Sequence, residues 1–342
     1  MATIQSERPS VAPNGIYLLG DFPDADSVID KKPLTGQTGK MLDSLLAFAG
    51  IDREACWVGN VFTSPVSRFE PAGYFSKSGS GTPKHPKFGY LLPAFEGDLQ
   101  RLDDELKEAN PRIIIAFGGL ALWALAGLDK INDYRGTVLT HGPAKLIPTH
   151  HPHSIRNDWS LRPIVSSDLV KATVELQFPE VRRKSRTVNI VENVADMDRA
   201  VAQITAAGFC AFDVETAHSQ ITCISLAANP LESFVIPFWN YQKPGYHQFV
   251  APIEVEIWTR LALILEDPAI RKLAHNATYD LTYCREHDII VAGQVDDTML
   301  MSHSYQIEWP KSLGFLGSIY CNEAAWKLMR TGLVKDLNKA DE

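Results

Sequence analysis

Asp213 and Glu215 stand two apart within Cys210 to Thr216 (CAFDVET), an apolar run that reads as a strand, so their side chains project from one face. Like charges on one face repel. Such a pair is either two solvated acids at a strand end or the start of an oxygen-ligand site for a divalent cation. Further along, HNATYDLTYC reads as the opening of a helix, with Asn276, Tyr279 and Asp280 at three- and four-residue spacings that share a face. Nearer the N-terminus, polar residues gather in GDFPDAD (20–26) leading to KPLTGQTGKMLDSLL (32–46), in VGNVFTSP (58–65) and in PTHHPHSIRND (148–158). GQTGK is no phosphate loop, because Met41 stands where Ser or Thr would bind Mg²⁺ and the glycine spacing is wrong. His150, His151 and His153, set around a proline, lack the spacing of common zinc ligands.

The elements that must position these residues follow from apolar patterning. Strands are predicted at 15–20, 56–62, 112–118 and 144–149, with helices over Gly39–Gly50, Phe88–Asn110 and Ser166–Gln177, an alternation that favours α/β layers. SKSGSGTPKHPK (76–87) reads as a mobile surface loop. FPEVRRKSR, with Pro179 as breaker and four basic residues, reads as a linker, either solvated or touching a phosphate backbone. Then come a strand (TVNIVEN), a helix over Ala195–Ala207, strands FCAFDVET, ITCISLAAN and SFVIPF, a helix over Pro252–Glu266, a strand at Lys272–His275 and a helix from Asn276.

The chain has 342 residues, 45% of them hydrophobic and 22% charged, room for two ordinary globular domains. Its net charge of −8, with neither half basic, excludes a blanket basic binder of nucleic acid and leaves any DNA contact to local patches. Five scattered cysteines without a CxxC spacing give no disulfide framework or cysteine zinc site and suit a reducing compartment. The N-terminus lacks a signal-peptide pattern, and the longest apolar run, Ile113 to Leu128, is short for a bilayer span and broken by Gly118-Gly119. A soluble, cytoplasmic protein with no membrane partner is expected.

FDVET, HNATYD and DDTMLMSHSYQIEWPKSLGFL, in that order, resemble the 3′–5′ exonuclease domain attached to family A DNA polymerases, a DEDD-type nuclease with a ribonuclease H-like fold, over roughly residues 187–330. The resemblance implies that Asp213, Glu215 and Asp280 hold Mg²⁺ or Mn²⁺ ions that activate water and stabilise the leaving 3′ oxygen, with Asn276 and Tyr279 seating the strand end and Asp297 and Trp309 structural. The family's fourth carboxylate lies in a YxxxD or HxxxxD motif. Neither occurs after Trp309, so the sequence reads as ending just short of it.

The first region, over residues 15–177, is similar to the uracil-DNA glycosylase superfamily, particularly its type four and type five branches. Gly20, Asp21 and Pro23 match its first element with Asp for Glu; Pro33, Gly36 and Gly39 match the second; Asn60 and His151 match the third and fourth. The resemblance implies that Asn60 reads the polar edge of an extruded base, His151 donates to the departing base, Asp21 orients water and Arg156 meets a phosphate. Leu34 stands where the family stacks a Phe, and the four cysteines of an iron–sulfur cluster are absent.

The expected architecture is therefore two α/β domains: a uracil-DNA glycosylase-like α/β/α sandwich (1–178), a basic linker (179–186) and a ribonuclease H-like 3′–5′ exonuclease domain (187–342). This order resembles the front end of bacteriophage family A polymerases. The expected function is metal-dependent trimming of single-stranded DNA 3′ ends in replication, beside a polymerase domain or chain. A noncatalytic DNA-binding or polymerase-docking module and an active uracil glycosylase are the rival readings.

Overall fold

The computed structural model describes residues 3–66, 69–79, 81–182, 184–243 and 245–321. They divide into two units, one of residues up to 181 together with 314–321, the other of 182–313.

In the first unit the chain runs through β1 (Ile16–Gly20), α1 (Ala25–Asp30), α2 (Gly36–Ala49), β2 (Trp57–Asn60), β3 (Phe75–Ser76), β4 (Lys84–His85), β5 (Gly89–Leu91), α3 (Glu96–Ala109) and β6 (Ile113–Phe117). It continues through α4 (Gly119–Ala126), α5 (Ile131–Tyr134), β7 (Leu139–His141), β8 (Ala144–Thr149), α6 (Pro152–Ile155) and α7 (Leu161–Glu175). The main sheet has the order β2-β1-β6-β8-β7, parallel except for the edge pair β7–β8. All residues of β1, β6 and β8 are buried, as a parallel sheet covered on both faces requires. Alternation sends Leu18, Ile113, Ile115 and Ile147 into a core with Leu42 and Leu46 of α2 and Leu169 of α7, and Tyr17, Leu19, Ile114 and Leu146 into a second core with Leu102 of α3 and Leu120 of α4. The result is an α/β/α sandwich.

Two expectations need correction here. The helix predicted over Phe88–Asn110 begins only at Glu96, because Gly89 has a φ of +102° within strand β5 and Pro93 opens a short 3-10 turn. In the predicted surface loop 76–87, Lys84 and His85 pair with β5, and His85 is buried between Phe75, Phe88 and Trp123.

The second unit contains β9 (Thr187–Ile190), α8 (Val194–Ala207), β10 (Phe209–Ala217), β11 (Gln220–Asn229), β12 (Glu232–Pro237), α9 (Ala251–Leu265), β13 (Arg271–Ala274), α10 (Ala277–Glu286), β14 (Val295–Asp297) and α11 (Thr298–Tyr305). Its sheet order is β14-β13-β10-β11-β12-β9. β10, β11 and β12 form an antiparallel meander, and β13 and β14 extend it in parallel on the other side of β10. Even-numbered residues of β10 (Cys210, Phe212, Val214) pack on Met197 and Ile204 of α8 and Ile257 and Leu261 of α9. Odd-numbered residues face the other way, and there Asp213 and Glu215 are exposed.

From Gly314 the chain, in α12 (Leu313–Tyr320), belongs with the first unit, a departure from the expected second domain of 187–342. The reason is a buried polar cluster. Arg135 donates through Nη1 to Ser318 Oγ (2.8 Å) and through Nε to Asp168 (3.0 Å), and Thr149 Oγ1 donates to the same carboxylate (2.7 Å). Lys171 donates to the carbonyls of Gly136 and Ser318, and burial pushes its amine down to about 8. Arg135 and Asp168 are 3% and 1% exposed, so removing one partner strands the other without water. Asp168→Ala is therefore expected to lower unfolding free energy by about 3–5 kcal/mol in urea titrations. A loss below about 1 kcal/mol, typical of a surface pair, would contradict the buried-cluster account.

Candidate functional site

The first unit gathers its polar residues at the carboxyl ends of parallel strands, where α/β sheets place ligands. Asn60 ends β2, Asp21 follows β1 and His151 follows β8. Past the regular pairing, Val61 N–H donates to Gly20 O and Phe62 N–H to Asp21 O, which fixes the two strand ends together. Gly20 is needed at this point, since a Cβ there would lie 2.4 Å from Asn60 Oδ1 and 2.9 Å from Leu34 Cδ2. Its bare Cα lets Asn60 and Leu34 meet over the strand end. Arg101 of α3 holds the far side, donating from Nη2 to the carbonyls of Asn60 and Val61 at 2.8 Å each. Asn60 is 3% exposed, yet neither its Nδ2 nor its Oδ1 has a hydrogen-bond partner among the described residues. A buried amide with both ends unsatisfied costs stability, and a ligand that could both accept and donate would recover it.

Asp21 turns its carboxylate onto the start of α4. Oδ1 accepts from Ala121 N–H at 2.8 Å, and Gly118, at a φ of +105°, makes room, because a Cβ there would lie 2.2 Å from Oδ2. The contact caps a helix N-terminus from another element. Burial nonetheless outweighs the backbone donors and pushes the Asp21 carboxyl up to about 7. His151 is driven the other way, down to about 4, by loss of hydration and by neighbouring His153. Its Nδ1 accepts from His153 N–H at 3.2 Å, so the neutral ring carries its proton on Nε2 and presents a donor there. Asp24, the N-cap of α1, lies close enough to His151 to interact with its charge and is bound to Ser27 and Thr38. Leu34 sits in the left-handed region (φ +52°), 2% exposed within the core. Arg156, at the end of α6, is exposed.

In the second unit β10 outruns its neighbour. β13 pairs only with Phe209–Ala211, which leaves the N–H of Val214 on that edge without a ladder partner. Asp280, in the first turn of α10, fills the gap, its Oδ1 accepting from Val214 N–H at 2.8 Å. One carboxylate is thereby tied to the backbone between the two others. Pairing with β11 also slips between Glu215 and Thr216, an irregularity of the kind that re-aims side chains. Burial first, then the nearby Asp213 charge, push the Asp280 carboxyl up to about 6. Asn276 is exposed and left-handed (φ +66°), a conformation its short polar side chain tolerates. Exposed Tyr279 meets Thr216 through its hydroxyl. Asp297 takes the N–H groups of Asn276, Ala277, Met299 and Leu300, and these four donors overcome burial to hold its carboxyl below the usual range. Among the described residues no three His, Cys, Asp or Glu side chains close around a point where an ion would sit. No helix among them is long and apolar enough to cross a membrane.

Fold and sites thus define a protein of two α/β domains, each with buried or clustered acids at the open ends of its sheet. Residues 12–176 match the family model described as the uracil DNA glycosylase superfamily. The DNA polymerase of Bacillus phage SP01 is 22% identical over 319 residues, which covers 84% of this chain, while the chain spans only 32% of that protein. Among solved structures, the catalytic core of RRP6 from Trypanosoma brucei aligns with 42% of this chain and 37% of its own at 16% identity and a TM-score of 0.33. Brucella melitensis NrnC with bound Mg²⁺ aligns with 41% and 62% at 17% identity and a TM-score of 0.28.

The close approaches at Gly20 and Gly118, the Arg101 clamp and the Val214 N–H escape sequence reasoning. Only the glycines that end strands GIYLLG and IIIAFG offered a signal.

The Asp21 carboxyl gives a pH signature. Raised above its unfolded value, it contributes stability that is fully present below about 4 and lost as pH rises through about 7. Asp21→Asn keeps an acceptor for Ala121 and is expected to flatten this decline, by about 1–4 kcal/mol between pH 4 and 7, in urea midpoints taken across the range. Parallel pH profiles for both proteins would refute the buried acid.

Proposed function

We propose that this chain acts on DNA, its first unit receiving an extruded base of the uracil type. The unsatisfied amide of buried Asn60 carries this reading. An amide both donates and accepts, which matches the carbonyl and imide edge of uracil, and Leu34 lies beside it over the end of the strand. His151 Nε2–H would donate to the base, and Asp21, titrating near neutrality, would hold water against the sugar. Leu34 offers no π-face, so binding is expected to exceed release. An oligonucleotide with a single uracil should bind more tightly than one carrying an abasic-site analogue in its place, with that preference falling about tenfold in Asn60→Ala. Uracil release, scored as alkali-labile sites, should be slow or undetectable. Binding without uracil preference sinks the reading, and robust release abolished by Asn60→Ala or His151→Ala replaces it with an active glycosylase.

A second activity, metal-dependent removal of nucleotides from single-stranded 3′ ends, is favoured by the Asp280 to Val214 bond that sets a third carboxylate against Asp213 and Glu215. The donors are all oxygen. Mg²⁺ is commonly held by one or two carboxylates with water and substrate phosphate completing its shell, so an open set suits it or Mn²⁺. Because no three of these groups converge on one point, Asp213, Glu215 and Asp280 would hold the cation only with water and a substrate phosphate completing its shell, and when bound it would supply Lewis acidity at the phosphodiester. The protein's own part is to fix Asp280 through Val214 and to present Asn276 and Tyr279 to the strand end. Similarity to a phage DNA polymerase supports a place beside a polymerase domain or chain in replication, in host cytoplasm. Mn²⁺ is expected to raise the melting temperature of the unmodified protein and to leave Asp213→Ala unmoved. An equal shift in both would place the ion elsewhere.

A further inference from the structure

We propose that an aromatic loop beside Glu215 in the second unit is a stacking platform for single-stranded nucleic acid leading to the carboxylates; this rests on the exonuclease reading of that unit. The register places it. Glu215 pairs with Cys223, and Cys223 with Pro237, so the end of β12 lies two strands, about 10 Å, from Glu215. Thr222 joins the two places. Its hydroxyl donates to Glu215 O at 3.0 Å, and its carbonyl accepts from Phe238 and Trp239 N–H at 2.9 and 3.2 Å.

From Trp239 a run of rings leads outward. His218, in the turn after β10, stacks on Trp239 with centroids 6.2 Å apart and planes 21° apart. Trp239 meets Tyr241 edge-on at 6.2 Å, and Tyr241 meets Tyr246 at 5.7 Å. The loop is closed by its own hydrogen bonds: Asn240 N–H to Tyr246 O at 2.7 Å, Gln248 N–H to Phe238 O at 2.9 Å and Asn240 Nδ2 to Gln248 Oε1 at 2.8 Å. These rings are therefore held in place before any ligand arrives. Yet Tyr241 is 67% and Tyr246 54% exposed, so the loop leaves both faces open instead of burying them in the fold.

Bases are the occupant these rings suit. Every base has a π-face, so rigid aromatics bind single strands with little regard for sequence. The rings touch one another edge-on or tilted, so a base can stack only on their outward faces, which an unstacked strand can reach and the stacked bases of a duplex cannot. Lys243 in the same loop adds a positive charge beside them. On the other flank Tyr279 meets Thr216, so Glu215 has aromatic groups on both sides. A strand whose 3′ end lies at Asp213 and Glu215 would pass its preceding bases over Trp239, Tyr241 and Tyr246.

The test is fluorescence anisotropy with a labelled oligothymidylate in EDTA, where nothing is cleaved. The double variant Tyr241→Ala/Tyr246→Ala is expected to lose roughly tenfold to a hundredfold in affinity, and the Tyr→Phe pair, which keeps the π-faces, to retain it. A blunt duplex, its bases already stacked, should bind both variants alike. Unchanged oligothymidylate affinity in the alanine variant overturns the platform, as does an equal loss for the duplex or a loss in the phenylalanine pair. Because binding is read without metal or cleavage, a protein that binds as expected but never trims DNA refutes the exonuclease reading and leaves the platform standing.

Discussion

Backbone N–H groups left over where strands outrun their neighbours and helices begin must find acceptors, and in both units aspartates supply them. Asp21 takes Ala121 at the start of α4, Asp280 takes Val214 beyond the end of β13, and Asp297 takes four donors around the starts of α10 and α11. Asp98 does the same for Thr63 after β2. Each bond fixes a carboxylate at the open end of a sheet, where a parallel or mixed fold leaves room for ligands. Structure and chemistry share one origin here: the groups that complete the backbone are the groups that carry charge into the clefts.

The number of donors decides what each carboxylate becomes. Asp297, with four, is held ionised in spite of burial, which suits a residue that only ties elements together. Asp21 and Asp280 have fewer, and burial wins, lifting them to about 7 and about 6. Incomplete satisfaction leaves them able to exchange a proton near neutrality or to welcome a cation. The same logic applies to Asn60, which has the burial of a core residue but no side-chain hydrogen-bond partner among the described residues.

Much of this was legible in the sequence, for a physical reason. The strands of both sheets are apolar runs bounded by glycine, proline or polar turns, and period-two placement of Asp213 and Glu215 around Val214 fixed their common face. Short-range signals fail where a contact is long-range. Nothing near Asp168 announces that it will meet Arg135 and that Arg135 will reach Ser318, so the return of the chain after Gly314 to the first unit was invisible. The helix predicted from Phe88 fails more locally: its apolar spacing is genuine, but Gly89 and Pro93 impose backbone angles that a helix cannot use.

The two units differ in how far their sites are built. In the first, the polar groups are fixed by protein contacts: Arg101 donates to the carbonyl of Asn60, Gly20 and Gly118 admit Leu34 and Asp21 at close range, and the His151 tautomer is set by a backbone N–H. Preorganisation of this kind favours a specific, shape-matched ligand over a range of them. In the second, one carboxylate is fixed to the backbone and two stand on an exposed face of the sheet. Carboxylates on an exposed face take whatever ligand brings a complementary charge, whereas an amide enclosed by protein is selective for shape and for hydrogen-bonding pattern.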